Sequence, residues 1–92
     1  MPSKSPPTVS RLGSKIVITD TGEPDEAIEV AIFRVVNNVD QTPPAFSVSS
    51  HLDGDGNWTV SSGALASGTY HVVTTTHPAS GVAIFNNTIT IP

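Results

Sequence analysis

The chain of 92 residues contains no cysteine, and it is poor in charged and aromatic side chains. Without cysteine, neither a disulfide framework nor a thiolate metal site can form, so stability must come from a hydrophobic core. A chain of this length makes one small domain that buries roughly 60–65% of the surface of its unfolded form. Its four Lys and Arg against eight Asp and Glu give a formal net charge of -4, which disfavours nucleic acid as a partner.

Long apolar runs are also missing from the sequence. No stretch approaches the length of about 18 apolar residues that spans a membrane, and the N-terminus lacks the apolar segment of a signal peptide. The sequence therefore predicts neither a membrane partner nor, as written, an export signal.

The first seven residues, MPSKSPP, hold three prolines, two serines and one lysine. This composition predicts a flexible or polyproline-like arm over residues 1–7, followed by a single folded domain over residues 8–92. Lys4, Pro6 and Pro7 are candidate docking residues if the arm binds a partner. A frayed terminus without a role is an equal alternative.

The rest of the chain is cut by Gly and Pro into short runs rich in Val, Ile and Thr. Within them apolar residues alternate, as in Ile16 and Ile18 or Tyr70 and Val72, which predicts strands with one buried face. The pattern indicates an all-β antiparallel sandwich of about seven strands in two sheets. The seven runs are TVSRL, KIVITDT, EAIEVAIFRVV, AFSVSSHL, NWTVSS, TYHVVTTT and VAIFNNTITIP.

Two runs break this alternation. Apolar residues alternate with other residues up to Ile32, but Phe33 follows Ile32 directly. The segment IFNNTI likewise interrupts the alternation. A β-bulge or a strand end is expected at each place.

The segment DGDGN offers weak metal candidates, because Asp53, Asp55 and Asn57 place oxygen atoms at alternate positions. An EF-hand loop would next require Gly and then a bidentate Glu, but Trp58 and Ala64 occupy those positions. A hairpin turn that uses the Asp and Gly residues for its backbone conformation is favoured, and neither a metal site nor a cofactor is predicted.

No catalytic constellation is apparent either. His71 and His77 are an even number of residues apart, so both would face the same side of a strand. They would lie about 20 Å apart along it, too far to act on one atom. The histidines are predicted to be solvent-facing strand and loop positions, and His71→Ala is expected to have almost no effect. The chain is expected not to be an enzyme.

The segment LASGTY has the spacing of a tyrosine corner, in which Tyr70 hydrogen-bonds to the backbone upstream. Leu65 would fill the space beneath the corner, and Gly68 lies just before the strand. Trp58, the only tryptophan, has the inward parity of its strand and is expected to anchor the core.

The segment GDGNWTVSSGALASGTYHVVTTT resembles the pattern of bacterial immunoglobulin-like domains, and IVITDTGEPDEAIEVAIF is similar to the first hairpin of that family. The resemblance covers about residues 14 to 77. It departs from the family pattern after TTT and at Asp25, where the family has Gly. It implies an immunoglobulin-like sandwich that acts as a non-enzymatic structural or binding module with protein partners.

Members of this family form stalk repeats of bacterial adhesins or modules of phage head and tail proteins. A single domain that starts with Met and has no export signal favours an accessory or decoration protein of a phage particle. Such a protein would reside in the virion, assembled in the host cytoplasm, and bind the virion lattice through its arm or a sheet edge. The alternative is one repeat of an adhesin on the bacterial cell surface.

A carbohydrate-binding module is a weaker alternative, because sugar binding requires exposed aromatic rings and the chain has five aromatic residues. Exposed, adjacent Phe46 and Phe85 would favour it.

An exposed sheet edge also allows a homo-oligomer. The sequence leaves open whether Pro43, Pro44 and Pro78 follow cis or trans peptide bonds.

Overall fold

In a computed structural model that describes residues 4–92, the chain consists of strands and loops, with no helix in that range. The described part accordingly has no helix that could span a membrane. The predicted all-β sandwich is confirmed, with one more strand than expected because the very short β4 has no alternating pattern. The strands are β1 (Thr8–Leu12), β2 (Lys15–Thr21), β3 (Ala27–Val36), β4 (Val39–Asp40), β5 (Phe46–His51), β6 (Asn57–Ser61), β7 (Gly68–Thr76) and β8 (Ala83–Ile91).

The strands form two antiparallel sheets. The smaller sheet has the order β1-β2-β6. In the five-stranded sheet, β4 and β5 both pair along one side of β3, and β7 and β8 follow on the other side. Strand β8 is therefore one edge of the larger sheet, and β4 and β5 share the opposite edge.

The core lies between the two sheets and is mainly aliphatic. The inward rows predicted for β2, β3 and β7 are all buried, while Trp58, Val60 and Ile89 are half-buried against them. Because alternate residues of a strand face opposite sides, one face of each of these strands supplies the core. The buried apolar residues are Ile16, Ile18, Ile28, Val30, Ile32, Leu52, Tyr70, Val72 and Ile91.

One tight turn and one cis bond shape the edge formed by β4. Asn37 and Asn38, between the paired residues Val36 and Val39, have φ values of 53° and 64°. This is the conformation of a type I′ hairpin, which Asn tolerates better than most residues. The Thr42–Pro43 peptide bond is cis, and no other cis bond occurs in residues 4–92.

The bulges expected in β3 and β8 are absent from the described residues, and that prediction was wrong. The pairing of β3 with β7 runs without a shift from Ile28 opposite Thr76 to Val35 opposite Thr69. The pairing of β7 with β8 is equally continuous. Phe33 therefore lies on the outer face of the sheet. The alternation is interrupted because this part of the sheet has apolar residues on both of its faces.

Two threonines on the inner face of β7 are fully buried. The hydroxyl groups of Thr74 and Thr76 have no hydrogen-bond partner within residues 4–92. A buried hydroxyl without a partner lowers stability, because it loses its hydrogen bonds to water without replacing them.

We expect Thr74→Val to raise the free energy of unfolding by about 1–2 kcal/mol, because valine has nearly the same shape and no group to desolvate. Urea denaturation of both proteins measures this difference. Thr75→Val, at the neighbouring half-exposed position, is the control and should change stability by less than about 0.5 kcal/mol. A loss of stability in Thr74→Val would show that the hydroxyl has a favourable contact.

Candidate functional site

The tyrosine corner is present as the sequence predicted. The Tyr70 hydroxyl donates a 2.7 Å hydrogen bond to the carbonyl oxygen of Ala66, and the Tyr70 side chain is buried. Leu65 packs against the core next to it. Gly68 has a φ of 153°, and an added Cβ would press on the guanidinium group of Arg34 at 3.2 Å. These residues join the segment before β7 to the core, which is a structural role.

We expect Tyr70→Phe to lower the free energy of unfolding by about 1 kcal/mol, because the ring keeps its packing while the Ala66 carbonyl loses its hydrogen bond. Chemical denaturation measures the change. Val72→Ala, two residues further along the same inward row, is a comparison that should cost more, about 2–3 kcal/mol. An unchanged midpoint for Tyr70→Phe would contradict the role of the hydroxyl.

Of the three weak metal candidates, Asp53 and Asp55 lie in the turn between β5 and β6, and Asn57 is the first residue of β6. One carboxylate oxygen of Asp53 accepts hydrogen bonds from the backbone N–H groups of Asp55 and Asn57, both at 2.9 Å. Asp53 thus holds the turn closed, but the predicted hairpin is wrong, because β5 pairs with β3 and β6 pairs with β2 in the other sheet. Within residues 4–92, no three His, Cys, Asp or Glu side chains lie close enough together to hold a metal ion.

A buried ionic cluster, formed by Lys4, Asp20 and Glu26, closes one end of the sandwich. The Lys4 ammonium lies 2.9 Å from Asp20 Oδ2 and 3.1 Å from Glu26 Oε2, and it donates a 2.6 Å hydrogen bond to the Thr21 carbonyl. Both carboxylates are buried, and Oδ1 of Asp20 has no hydrogen-bond partner among the described residues. Because Asp20 ends the inward row of β2 and Glu26 precedes β3, Lys4 links the two sheets.

The described part of the predicted arm is therefore packed against the domain. Lys4 has only 7% of its side chain exposed, and Pro7 is buried, whereas Pro6 is exposed. The expectation that Lys4 and Pro7 are free for docking was wrong, because two buried carboxylates require a cation close by. Residues 1–3 lie outside the described residues.

Two glycines beside this cluster come into close backbone contact. The N–H of Gly22 donates to the carbonyl of Gly56 at 2.9 Å, which joins the loop after β2 to the turn before β6. A Cβ on Gly22 would overlap the Lys4 ammonium, and one on Gly56 would overlap the Gly22 carbonyl oxygen. Gly56 also has a φ of 76°. Both positions require glycine for lack of space.

His71 connects three strands on the outer face of the five-stranded sheet. Its Nδ1 lies 2.7 Å from Asp40 Oδ2 on β4, and its Nε2 lies 2.8 Å from Asn86 Oδ1 on β8. Both partner atoms are acceptors, so the arrangement fits an imidazolium that donates from both nitrogens. The hydrogen bond to Asp40, with that to Asn86, raises the pKa of His71 above 6.5. His71 thus lies on the outer face, as the sequence predicted, but its two hydrogen bonds argue against the expectation that replacing it has almost no effect.

The raised pKa of His71 predicts a pH-dependent contribution to stability. A folded-state pKa above the unfolded value means that the stabilisation is fully present below about pH 6.5 and is lost as the pH rises through the folded pKa. We expect wild type to exceed His71→Gln in stability by at most about 1 kcal/mol at pH 5.5, since both partners are partly exposed, and by less at pH 8. Thermal melts at both values measure the difference. His51→Gln, at an exposed position, is the control, and a wild-type advantage that grows towards pH 8 would contradict the prediction.

An apolar stripe, formed by Phe33, Val73 and Ile84, crosses the same outer face. Val73 lies opposite Ala31, so Phe33 is its diagonal neighbour on β3, and Ile84 is its diagonal neighbour on β8. Phe33 and Val73 are half-buried, and Ile84 is 59% exposed. The sequence contained the signal for this stripe, which was the break in parity at Phe33 and at Ile84.

A shallow groove of about 380 Å³ adjoins the stripe. It is lined by small side chains, which include Ala31, Ser47 and Ser49, and by the carboxylate of Glu29, with Val73 on its stripe side. Because the groove and the stripe share Val73, they form one continuous surface. We call the stripe and the groove together the outer-face surface.

The aromatic residues do not form the platform that sugar binding requires. Phe46 and Phe85 are both half-buried, and they lie on β5 and β8. These strands are opposite edges of the five-stranded sheet, about 14 Å apart at the usual strand spacing. Phe33 is the aromatic residue on the outer face of this sheet, so the condition set by the sequence for a carbohydrate-binding module is not met.

Comparison of the chain with protein-family models, with curated proteins and with solved structures found no significant match.

Proposed function

We propose that the chain is a non-enzymatic immunoglobulin-like module that binds another protein through its outer-face surface. The observation that carries this proposal is the apolar stripe of Phe33, Val73 and Ile84 on the exposed side of the sheet. A sandwich needs apolar residues on the inner face of each sheet and none on the outer face. Apolar side chains that continue across three strands of an outer face are typical of a surface that becomes covered on binding.

The chemistry of the surface favours a protein partner. Next to the stripe, the groove is lined by hydroxyl and small aliphatic groups and by the carboxylate of Glu29, which can all form hydrogen bonds or pack against a protein. Protein interfaces combine an apolar centre with a polar rim in the same way. The net charge of -4 argues against a polyanionic partner.

Within this class, the sequence resemblance favours an accessory or decoration protein of a phage particle, located in the virion. The packing of Lys4 and Pro7 moves the proposed attachment from the arm to the outer-face surface. A repeat of a bacterial adhesin remains the alternative assignment.

The test is co-sedimentation of the full chain with candidate particles from the same genome. We expect wild type to sediment with the particle and Val73→Lys to lose binding at least about tenfold, because a charge would be buried at the centre of the stripe. Leu12→Lys is the matched control, since Leu12 is 70% exposed on the other sheet, and it should bind as wild type does.

Removing residues 1–3 tests whether the arm binds the particle. Lys4 is kept in this variant, so the ionic cluster that stabilises the domain stays intact. Full binding after this removal would agree with attachment through the outer face. Loss of binding would show that the N-terminus is needed for attachment. If neither wild type nor any variant binds a particle, the adhesin alternative gains support.

A further inference from the structure

Strand β8 is a long sheet edge with one side unpaired. Its nine residues, Ala83–Ile91, pair with β7 on one side, and no strand within residues 4–92 pairs with the other side. Strand β1 of the facing sheet comes near β8 without pairing with it. An unpaired edge presents a row of backbone N–H and C=O groups that another strand can join.

This edge lacks the features by which sheet proteins prevent such pairing. Strand β8, AIFNNTITI, contains no charged residue, no proline and no bulge. The edge strands β1 and β6 have only five residues each, and β5 follows the Pro43 and Pro44 segment. Lysine, proline, bulges and short length are the usual protection of an edge. Strand β8 is thus the edge that is open to a partner strand.

Charge favours a second copy of this chain as the partner at β8. Two copies carry a net charge of -4 each and repel one another over most of their surfaces. An edge without any charge is where two such molecules can meet with the least repulsion. Ile84 on this strand is also exposed, and pairing would cover part of its surface.

The sequence of β8 is complementary to itself in antiparallel pairing. If Asn87 of one copy lies opposite Asn87 of the second copy, all nine residues of each strand are paired. Phe85 then meets Ile89 of the second copy on the inner face, and no charged residue meets another. Aromatic and β-branched pairs of this kind stabilise sheets, and two facing amides can donate to and accept from each other.

We propose that the chain forms a two-fold symmetric dimer in which β8 pairs antiparallel with β8 of a second copy, with Asn87 at the two-fold axis. The two five-stranded sheets then form one continuous sheet. The interface is isologous, as in most homodimers. It uses the backbone edge of β8, whereas the proposed particle contact is centred on Val73 of the outer face; the two share Ile84, but cross-linking at position 87 and Val73→Lys test them separately.

Cysteine cross-linking tests the register directly, because the natural chain has no cysteine. In Asn87→Cys the two thiols would face each other across the axis, within the Cα separation of about 4.4–6.8 Å that a disulfide needs. We expect rapid conversion to a covalent dimer under mild oxidation. Thr90→Cys is the matched control on the same edge, since its two thiols would be about 20 Å apart, and it should stay largely uncross-linked.

Light scattering tests the dimer without relying on that variant. We expect wild type to have twice the monomer mass of 9.5 kDa. Thr88→Lys, exposed on β8, should weaken dimerisation about tenfold or more, and Ser49→Lys on the β5 edge should not. Val73→Lys should stay dimeric even where it no longer binds a particle. A monomer mass at all concentrations, or equal cross-linking at positions 87 and 90, would overturn the proposal.

Discussion

Lys4→Met is expected to lower the free energy of unfolding by about 3–5 kcal/mol, a large fraction of the stability of a domain this small. Methionine retains the length and apolar stem of the side chain but removes the ammonium that lies between Asp20 and Glu26. Both carboxylates are buried, so neither gains enough water to replace the lost cation. The loss is the cost of leaving two charges unpaired inside the protein.

Lys15→Met is the matched control, because it removes the same charge from an exposed position at the start of β2. It should change stability by less than about 0.5 kcal/mol. The double variant Lys4→Met with Asp20→Asn should recover part of the loss, since one unpaired charge is removed. Urea denaturation of wild type, Lys4→Met, Asp20→Asn and the double variant gives the coupling energy, and equal effects of Lys4→Met and Lys15→Met would contradict a buried role for Lys4.

Gly56→Ala is expected to lower the free energy of unfolding by about 2–4 kcal/mol. A φ of 76° places a Cβ in the left-handed region, which costs about 1–2 kcal/mol for a residue other than glycine. The same Cβ would overlap the carbonyl oxygen of Gly22, so the two loops must separate and the hydrogen bond between them weakens. Chemical denaturation measures the total.

Two further glycines separate these contributions. Gly13 has a φ of 63° with nothing within 4 Å of an added Cβ, so Gly13→Ala should show the conformational cost alone. Gly54 has open space and no such φ, so Gly54→Ala should be nearly neutral. If Gly56→Ala costs no more than Gly13→Ala, the contact between the loops does not limit stability.

The parts of the structure that the sequence predicted are those that depend on local patterns. Alternation in β2 identified Ile16 and Ile18 as core residues, because a strand turns successive side chains to opposite faces. The spacing of the segment before Tyr70 identified the tyrosine corner, since its hydrogen bond joins residues only four positions apart.

The parts that the sequence did not predict depend on contacts between distant segments. Lys4 contacts the carboxylates of Asp20 and Glu26, which are 16 and 22 positions away in the sequence. A segment rich in proline and serine contains no pattern that predicts these contacts. His71 contacts Asp40 and Asn86 only when the four strands β4, β3, β7 and β8 lie side by side. The outer-face stripe was visible as a break in parity, but a bulge explains such a break equally well until the register is known.

The ionic cluster also determines how the molecule would respond to a mechanical load. Strand β1 pairs antiparallel with β2, and the pair at its N-terminal end is Thr8 with Thr19. A pull on the N-terminus would open this hairpin one residue pair at a time, starting at that end. Lys4 lies just before the first pair and is bound to Asp20 and Glu26, so the load would have to break the ionic contact before the strand could peel away.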